Sequence, residues 1–112
     1  MCVDSSDVLR QVVVPIINWD ECRRLASRQD VALPEKVICA GHTAGGKSSC
    51  YGDSGGPLVC KKDGQWWQYG VVNFGLSDAC ARPNQPGAYA DVVKYLRWIE
   101  QNSGSSLNNN GR

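Results

Sequence analysis

The stretch Ser48-Ser49-Cys50-Tyr51-Gly52-Asp53-Ser54-Gly55-Gly56-Pro57-Leu58-Val59-Cys60 decides how this chain is read. A serine sits at its centre with glycines on both sides. A serine hydroxyl is a poor nucleophile until a base takes its proton and fixed donors stabilise the oxyanion that forms. Glycines let backbone N–H groups approach a reacting carbonyl with no side chain in the way. Ser54 is therefore the candidate nucleophile, and the backbone amides of Gly52 and Ser54 are the candidate oxyanion donors. A Gly-rich turn alone would account for Gly-x-Ser-x-Gly. The six-residue run from Gly52 to Pro57 is more specific than that.

The same short match fits the nucleophile elbow of α/β-hydrolases. Two features speak against it. An elbow is followed by a helix, whereas Pro57-Leu58-Val59-Cys60 reads as extended chain. The histidine partner should lie downstream, and no histidine follows Ser54.

Outward from this run the pattern is one of short strands and long loops. Pro57 to Lys62 and Gln65 to Phe74 are two strands, joined by Asp63-Gly64, both of which tolerate positive φ in a tight hairpin. Upstream, Gly41 to Gly56 is rich in Gly and Ser and reads as loop. Lys36 to Ala40 is a short strand. Val8 to Pro15, with its β-branched residues, is predicted as another. Between these two strands Asn18 starts a helix that must stop before Pro34. Asn18 can cap the first turn, and Glu21 stands at the capping-box position. Asp20 and Glu21 lie at the positive end of the helix; Arg23, Arg24 and Arg28 lie toward the negative end. Downstream, Asp78 to Gly87 is loop and Ala88 to Val92 a last short strand. A closing helix over about Asp91 to Asn102 gathers Val92, Tyr95, Leu96 and Ile99 on one apolar face, suited to docking on a sheet. Residues 1–103 form one domain, and the small, polar residues 104–112 are expected to be a disordered tail.

The bulk numbers fit one small domain of 112 residues. A net charge of +1 gives no reason to propose nucleic acid or a membrane surface as partner. No apolar run approaches the roughly 20 residues that span a bilayer. Six cysteines in so short a chain point to an oxidising compartment and disulfides. Zinc fits poorly, because there is no Cys-x-x-Cys pair and His42 is the only histidine. No metal or organic cofactor is implied. Met1 runs into Cys2-Val3-Asp4 without the pattern of a secretion signal. A piece of a longer secreted protein would reconcile the cysteines with that start.

From about Val8 to Asn102 the chain resembles the C-terminal half of chymotrypsin-like serine endopeptidases. The resemblance rests on the Ser48–Cys60 run, Cys39-Ala40-Gly41, Pro86-Gly87-Ala88-Tyr89 and the closing helix with Trp98-Ile99. It implies an all-β fold: the C-terminal six-stranded antiparallel β-barrel, whole or in part, with a closing C-terminal α-helix. It implies that Ser54 is acylated during proteolysis and that Asp53 is the buried carboxylate that pairs with a new N-terminal amine after zymogen cleavage. Asn73-Phe74-Gly75 resembles the segment that pairs with substrate backbone as an added strand. The family has Ser-Trp-Gly there, so Asn73 and Phe74 depart from it. Ser48 takes the floor of the primary specificity pocket, with Gly75 and Gly87 at its walls and Ser49 and Tyr51 beside it. An uncharged floor and two glycines resemble a chymotrypsin-type slot for Phe, Tyr, Leu or Met before the cut bond. The resemblance also selects the disulfides Cys22–Cys39, Cys50–Cys80 and Cys2–Cys60. Cys2 matches least well: the family has Gly-Trp-Gly shortly after this cysteine, whereas here Asp4-Ser5-Ser6-Asp7 leads directly to Val8.

The family's catalytic histidine and aspartate belong to an N-terminal barrel that this sequence lacks. His42 lies where the family has a variable surface loop and is expected to be exposed and inert. Without a base the Ser54 hydroxyl stays protonated, so the chain alone should be inactive. Asp53, without its amine, should turn outward or take up a proton, with the Gly52 loop mobile. The expected partners are polypeptide substrates, the N-terminal barrel of the same protease and protein inhibitors. The expected location of the parent protein is extracellular. The competing reading is a catalytically dead homologue that serves as a binding module.

Overall fold

The structure, a computed structural model, describes residues 6–77 and 79–107. Its centre is one antiparallel sheet of five strands: β1 (Ile16–Ile17), β2 (Val37–Ala40), β3 (Pro57–Lys62), β4 (Gln65–Gly75) and β5 (Gly87–Asp91). Their order across the sheet is β1-β2-β5-β4-β3. The expected six-stranded barrel is therefore corrected to an open sheet among the described residues. Closure would need one more strand lying between β1 and β3, and no described segment takes that place.

The hairpin between β3 and β4 forms where the sequence places it. Asp63 and Gly64 have φ of 52° and 77°, the left-handed conformation that matches the twist of the flanking strands. β4 carries two irregularities, one opposite Leu58/Val59 and one between Val72 and Phe74. The second leaves Asn73 without a cross-strand partner, since Val72 pairs with Tyr89 and Phe74 with Ala88. Bulges of this kind re-aim the strand, and this one lies beside the nucleophile loop.

Val8–Pro15 does not form the predicted strand; only Ile16 and Ile17 pair, with Ala40 and Cys39. The segment lies beyond the edge of the sheet. It is tied in by Gly41 N–H donating to the Pro15 carbonyl and by a contact of the His42 ring with the Val13 carbonyl. Proline has no N–H to extend the ladder. Val8, Leu9 and Val13 stay exposed.

Helix α1 (Trp19–Ser27) begins as predicted, with Asn18 Oδ1 accepting from Asp20 N–H at 2.8 Å and Glu21 N–H at 3.4 Å. Glu21 does not complete a capping box. Its carboxylate is taken by Arg24, one turn along. The helix ends well before Pro34, and its C-terminus is sealed by Val31 N–H on the Ala26 carbonyl at 2.9 Å, with Asp30 at φ 55°. Leu25 and Ala26 pack with Leu76, Phe74, Val31 and Leu33. A second cluster under the sheet joins Ala40, Leu58 and Tyr89 with Ile38, Tyr69 and Val72.

The closing helix is shorter than read. Val92–Tyr95 is a 3-10 turn packed on β4, and α2 spans Leu96–Ser103. It stops at Gly104, in the left-handed conformation at φ 72°. Of the expected tail, residues 104–107 are described and residues 108–112 lie outside the described residues.

Candidate active site

Ser54 sits on a loop held from both sides. On one side it is closed by two successive turns. Asp53 N–H donates to the Cys50 carbonyl at 3.0 Å, and Gly56 N–H donates to the Asp53 carbonyl at 2.9 Å. Gly52 and Gly55 take φ of 94° and 86°, positions that favour glycine. On the other side the loop is stitched to β4: Gly55 N–H donates to the Val72 carbonyl at 2.9 Å, and Val72 N–H donates to the Gly56 carbonyl at 2.8 Å. The glycines thus let the chain fold back on itself and on the strand, leaving Ser54 exposed at the apex.

The amides of Gly52 and Ser54 make no backbone hydrogen bond among the described residues. Asp53 is exposed, and its Oδ2 accepts from Cys50 N–H at 2.7 Å. The buried position that the resemblance implies for this carboxylate is not the one it occupies here. Burial of an unpaired carboxylate is costly, and an outward position with one backbone donor avoids that cost.

Ser54 lines a cavity of about 250 Å³. Ser48, Ser49, Tyr51, Asn73, Phe74, Gly75 and Gly87 line the same cavity. Those eight residues come from the nucleophile loop, the end of β4 and the start of β5. Gly75 and Gly87 are cross-strand partners, so two residues without side chains face each other at the cavity wall. A Cβ at Gly75 would meet only the Ser77 carbonyl, at 3.6 Å. At Gly87 it would press on the Tyr89 ring at 3.2 Å. The disulfide Cys50–Cys80, with Cα atoms 5.5 Å apart, fastens the nucleophile loop to the loop that leads into β5. Cys22–Cys39 fastens α1 to β2 at 6.3 Å. Cys2 lies outside the described residues, and Cys60 is a half-buried thiol on β3.

Sequence reasoning missed several members of this wall. Gln85 and Ser77 line it, and the Ser77 hydroxyl donates to Gln85 Oε1. Tyr89 does not itself line the cavity but touches it through Ser49. Its hydroxyl lies 3.1 Å from Ser49 Oγ. Alternation along β5 was the available signal, since Gly87 and Tyr89 share a face of the strand.

His42 is half-buried rather than exposed, with Nε2 at 2.8 Å from the Val13 carbonyl. It does not line the Ser54 cavity. The site thus gathers a candidate nucleophile, two amides without a backbone partner and a side-chain pocket, with no base among the described residues that line it.

A trypsin family model matches residues 2–99. Human (Homo sapiens) Testisin is 43% identical over 101 residues, which cover 87% of this chain and 31% of Testisin. The chain thus spans about a third of the length of that relative. With the nucleophile loop, the pocket and the sequence match in agreement, the chain belongs to the trypsin family of serine proteases.

Proposed function

We propose that this chain is the nucleophile-bearing, specificity-bearing half of a serine endopeptidase, inactive until an N-terminal barrel supplies the histidine and aspartate. The observation that carries the reading is that Ser54 lines the same cavity as Ser48, Gly75 and Gly87. In the complete protease the substrate places the side chain before its cut bond in that cavity. Its backbone pairs along Asn73-Phe74-Gly75 as an added strand. Histidine from the partner barrel takes the Ser54 proton, Ser54 Oγ attacks the carbonyl carbon, and the amides of Gly52 and Ser54 hold the oxyanion. The same histidine then protonates the leaving amine, and water repeats the sequence on the acyl-enzyme. Asp53 pairs with the new N-terminal amine once the zymogen is cut, which draws it inward from the exposed position it has here.

The pocket is read as chymotrypsin-like. Ser48 puts no charge at its floor, and none of the described lining residues is ionised. A large neutral side chain is favoured and a cation has no counter-ion. Two disulfides support an oxidising, extracellular setting for the parent protein. Substrate profiling of this chain joined to a catalytic N-terminal barrel tests the reading. Cleavage after Phe, Tyr, Leu or Met is expected; cleavage mainly after Arg or Lys would reject the pocket assignment.

A binding module remains the competing reading, favoured by the absence of a base among the described residues that line the Ser54 cavity. It predicts that the joined protein holds peptides without cutting them.

A further inference from the structure

The part of the Ser54 cavity wall formed by Ala81, Gln85, Pro86 and Gly87 is itself backed by a second loop. Residues 41–46 leave β2 and do not line the cavity. They press on that wall from outside it. A Cβ at Gly41 would lie 3.0 Å from Pro86 Cα, and one at Gly45 would lie 2.7 Å from the Ala81 carbonyl oxygen. The contact is also hydrogen-bonded: Gly46 N–H donates to the Ala81 carbonyl and Asn84 N–H to the Thr43 carbonyl, both at 2.8 Å. Further along, the same loop supplies Ser48, Ser49 and Cys50 to the cavity.

This backing loop has little stiffness of its own. Gly45 and Gly46 take φ of 80° and 93°, conformations that glycine enters freely. The loop's position therefore depends on what holds its start, and two bonds do so. Gly41 N–H donates to the Pro15 carbonyl at 2.9 Å, and the His42 ring meets the Val13 carbonyl with Nε2 at 2.8 Å. A carbonyl oxygen can only accept, so Nε2 carries the proton that is donated. His42 is half-buried. Its own carbonyl accepts from Gly45 N–H at 2.9 Å, which closes the turn that presents Gly45 and Gly46 to Ala81.

We infer that His42 is a positioning residue for the pocket beside Ser54: its ring ties the backing loop to Val13 and so holds the wall from Ala81 to Gly87 in place. This rests on the protease reading and deepens it. His42 does not line the cavity, so it acts through the backbone that it fixes and not on the substrate. Without the ring, the start of the loop keeps the single backbone bond from Gly41, and the turn from His42 to Gly45 is free to swing away from Ala81. The bond needs only a side-chain N–H at the right reach. Glutamine, with its own Nε2 donors, can supply one and alanine cannot.

Amide hydrogen exchange in the full chain, paired with ligand binding, tests this without catalysis. His42→Ala should quicken exchange at Gly46 and Asn84, whose amides join the two loops, by about five- to tenfold, the loss of one hydrogen bond. Gly55 and Val72, whose amides stitch the Ser54 loop to β4, should exchange as before. N-acetyl-L-phenylalaninamide, titrated into the same chain and followed by NMR, should bind His42→Ala several-fold more weakly. His42→Gln should restore both the exchange rates and the affinity. Faster exchange at all of these amides alike would overturn the inference, because a general loss of stability would then account for it. An unchanged affinity in His42→Ala, or a His42→Gln variant that behaves like the alanine one, would overturn it too. An unaltered chain that does not bind the amide would reject the pocket reading itself, and with it the inference that rests on it.

Discussion

At the residue scale, function depends on what is missing from particular side chains. Gly87 has no Cβ, and that absence opens the pocket wall onto the Tyr89 ring and the Ser49 hydroxyl. Gly87→Val should close the pocket. It should weaken binding of N-acetylated aromatic amides, read by NMR titration, and lower the melting temperature as the added side chain presses on the Tyr89 ring. Gly70 lacks a side chain for a different reason. A Cβ there would sit 2.9 Å from Tyr89 Cβ and 3.2 Å from the Ala90 carbonyl. Gly70→Ala should therefore destabilise the sheet by about 1–3 kcal/mol, as overpacking does, read from denaturant unfolding. Much of this scale was legible in advance. Ser48, Ser49, Tyr51, Asn73, Phe74, Gly75 and Gly87, singled out in the sequence, line one cavity with Ser54. The contact between the Ser49 and Tyr89 hydroxyls was not legible, because the two residues stand forty positions apart and only the fold brings the loop to β5.

At the scale of elements, α1 and the hairpin form from local signals, while the N-terminal strand fails for lack of a neighbour. Asn18 caps α1 through two N–H groups, so Asn18→Ala should cost about 1 kcal/mol, measured by chemical denaturation. The hydrogen bond from Arg24 holds the Glu21 carboxyl below its ordinary range; desolvation opposes it, and the charges of Arg24 and Arg28 add to it. A carboxyl whose pKa is depressed on folding adds stability above its unfolded pKa and loses it as pH falls through the folded value. Both partners are exposed, so the effect is small. Glu21→Gln should lower the melting temperature slightly at neutral pH. It should leave it unchanged well below the carboxylate range. The misreading of Val8–Pro15 has a physical cause. β-propensity describes a fit to a half-buried pleated surface, and this segment runs past the sheet edge with no strand to pair with. The barrel was over-read for the same reason. Strands can be counted from hydrophobic runs, but closure depends on whether the two edges find a common partner.

At the scale of the whole molecule, the chain exposes large apolar side chains along its N-terminal segment. Val8 is 65% exposed, Leu9 fully so and Val13 86%. The sheet has two open edges, at β1 and β3. The chain alone should bind a hydrophobic dye and lose that binding when joined to an N-terminal barrel, read by fluorescence. Stability of so small a domain leans on its cross-links. Removing Cys50–Cys80 by a double Ser substitution should cost about 3 kcal/mol, with chain-entropy arguments setting only the scale. It should also loosen the nucleophile loop from the pocket. The central claim is that Ser54 is positioned for acyl transfer and lacks only its proton acceptor. Its most direct test is the rate at which a fluorophosphonate labels Ser54, compared between the chain alone and the chain joined to a barrel carrying histidine and aspartate. Slow labelling alone and rapid labelling once joined, both lost in Ser54→Ala, is the predicted result. Rapid labelling of the chain by itself, or none after joining to a correctly folded barrel, would contradict it.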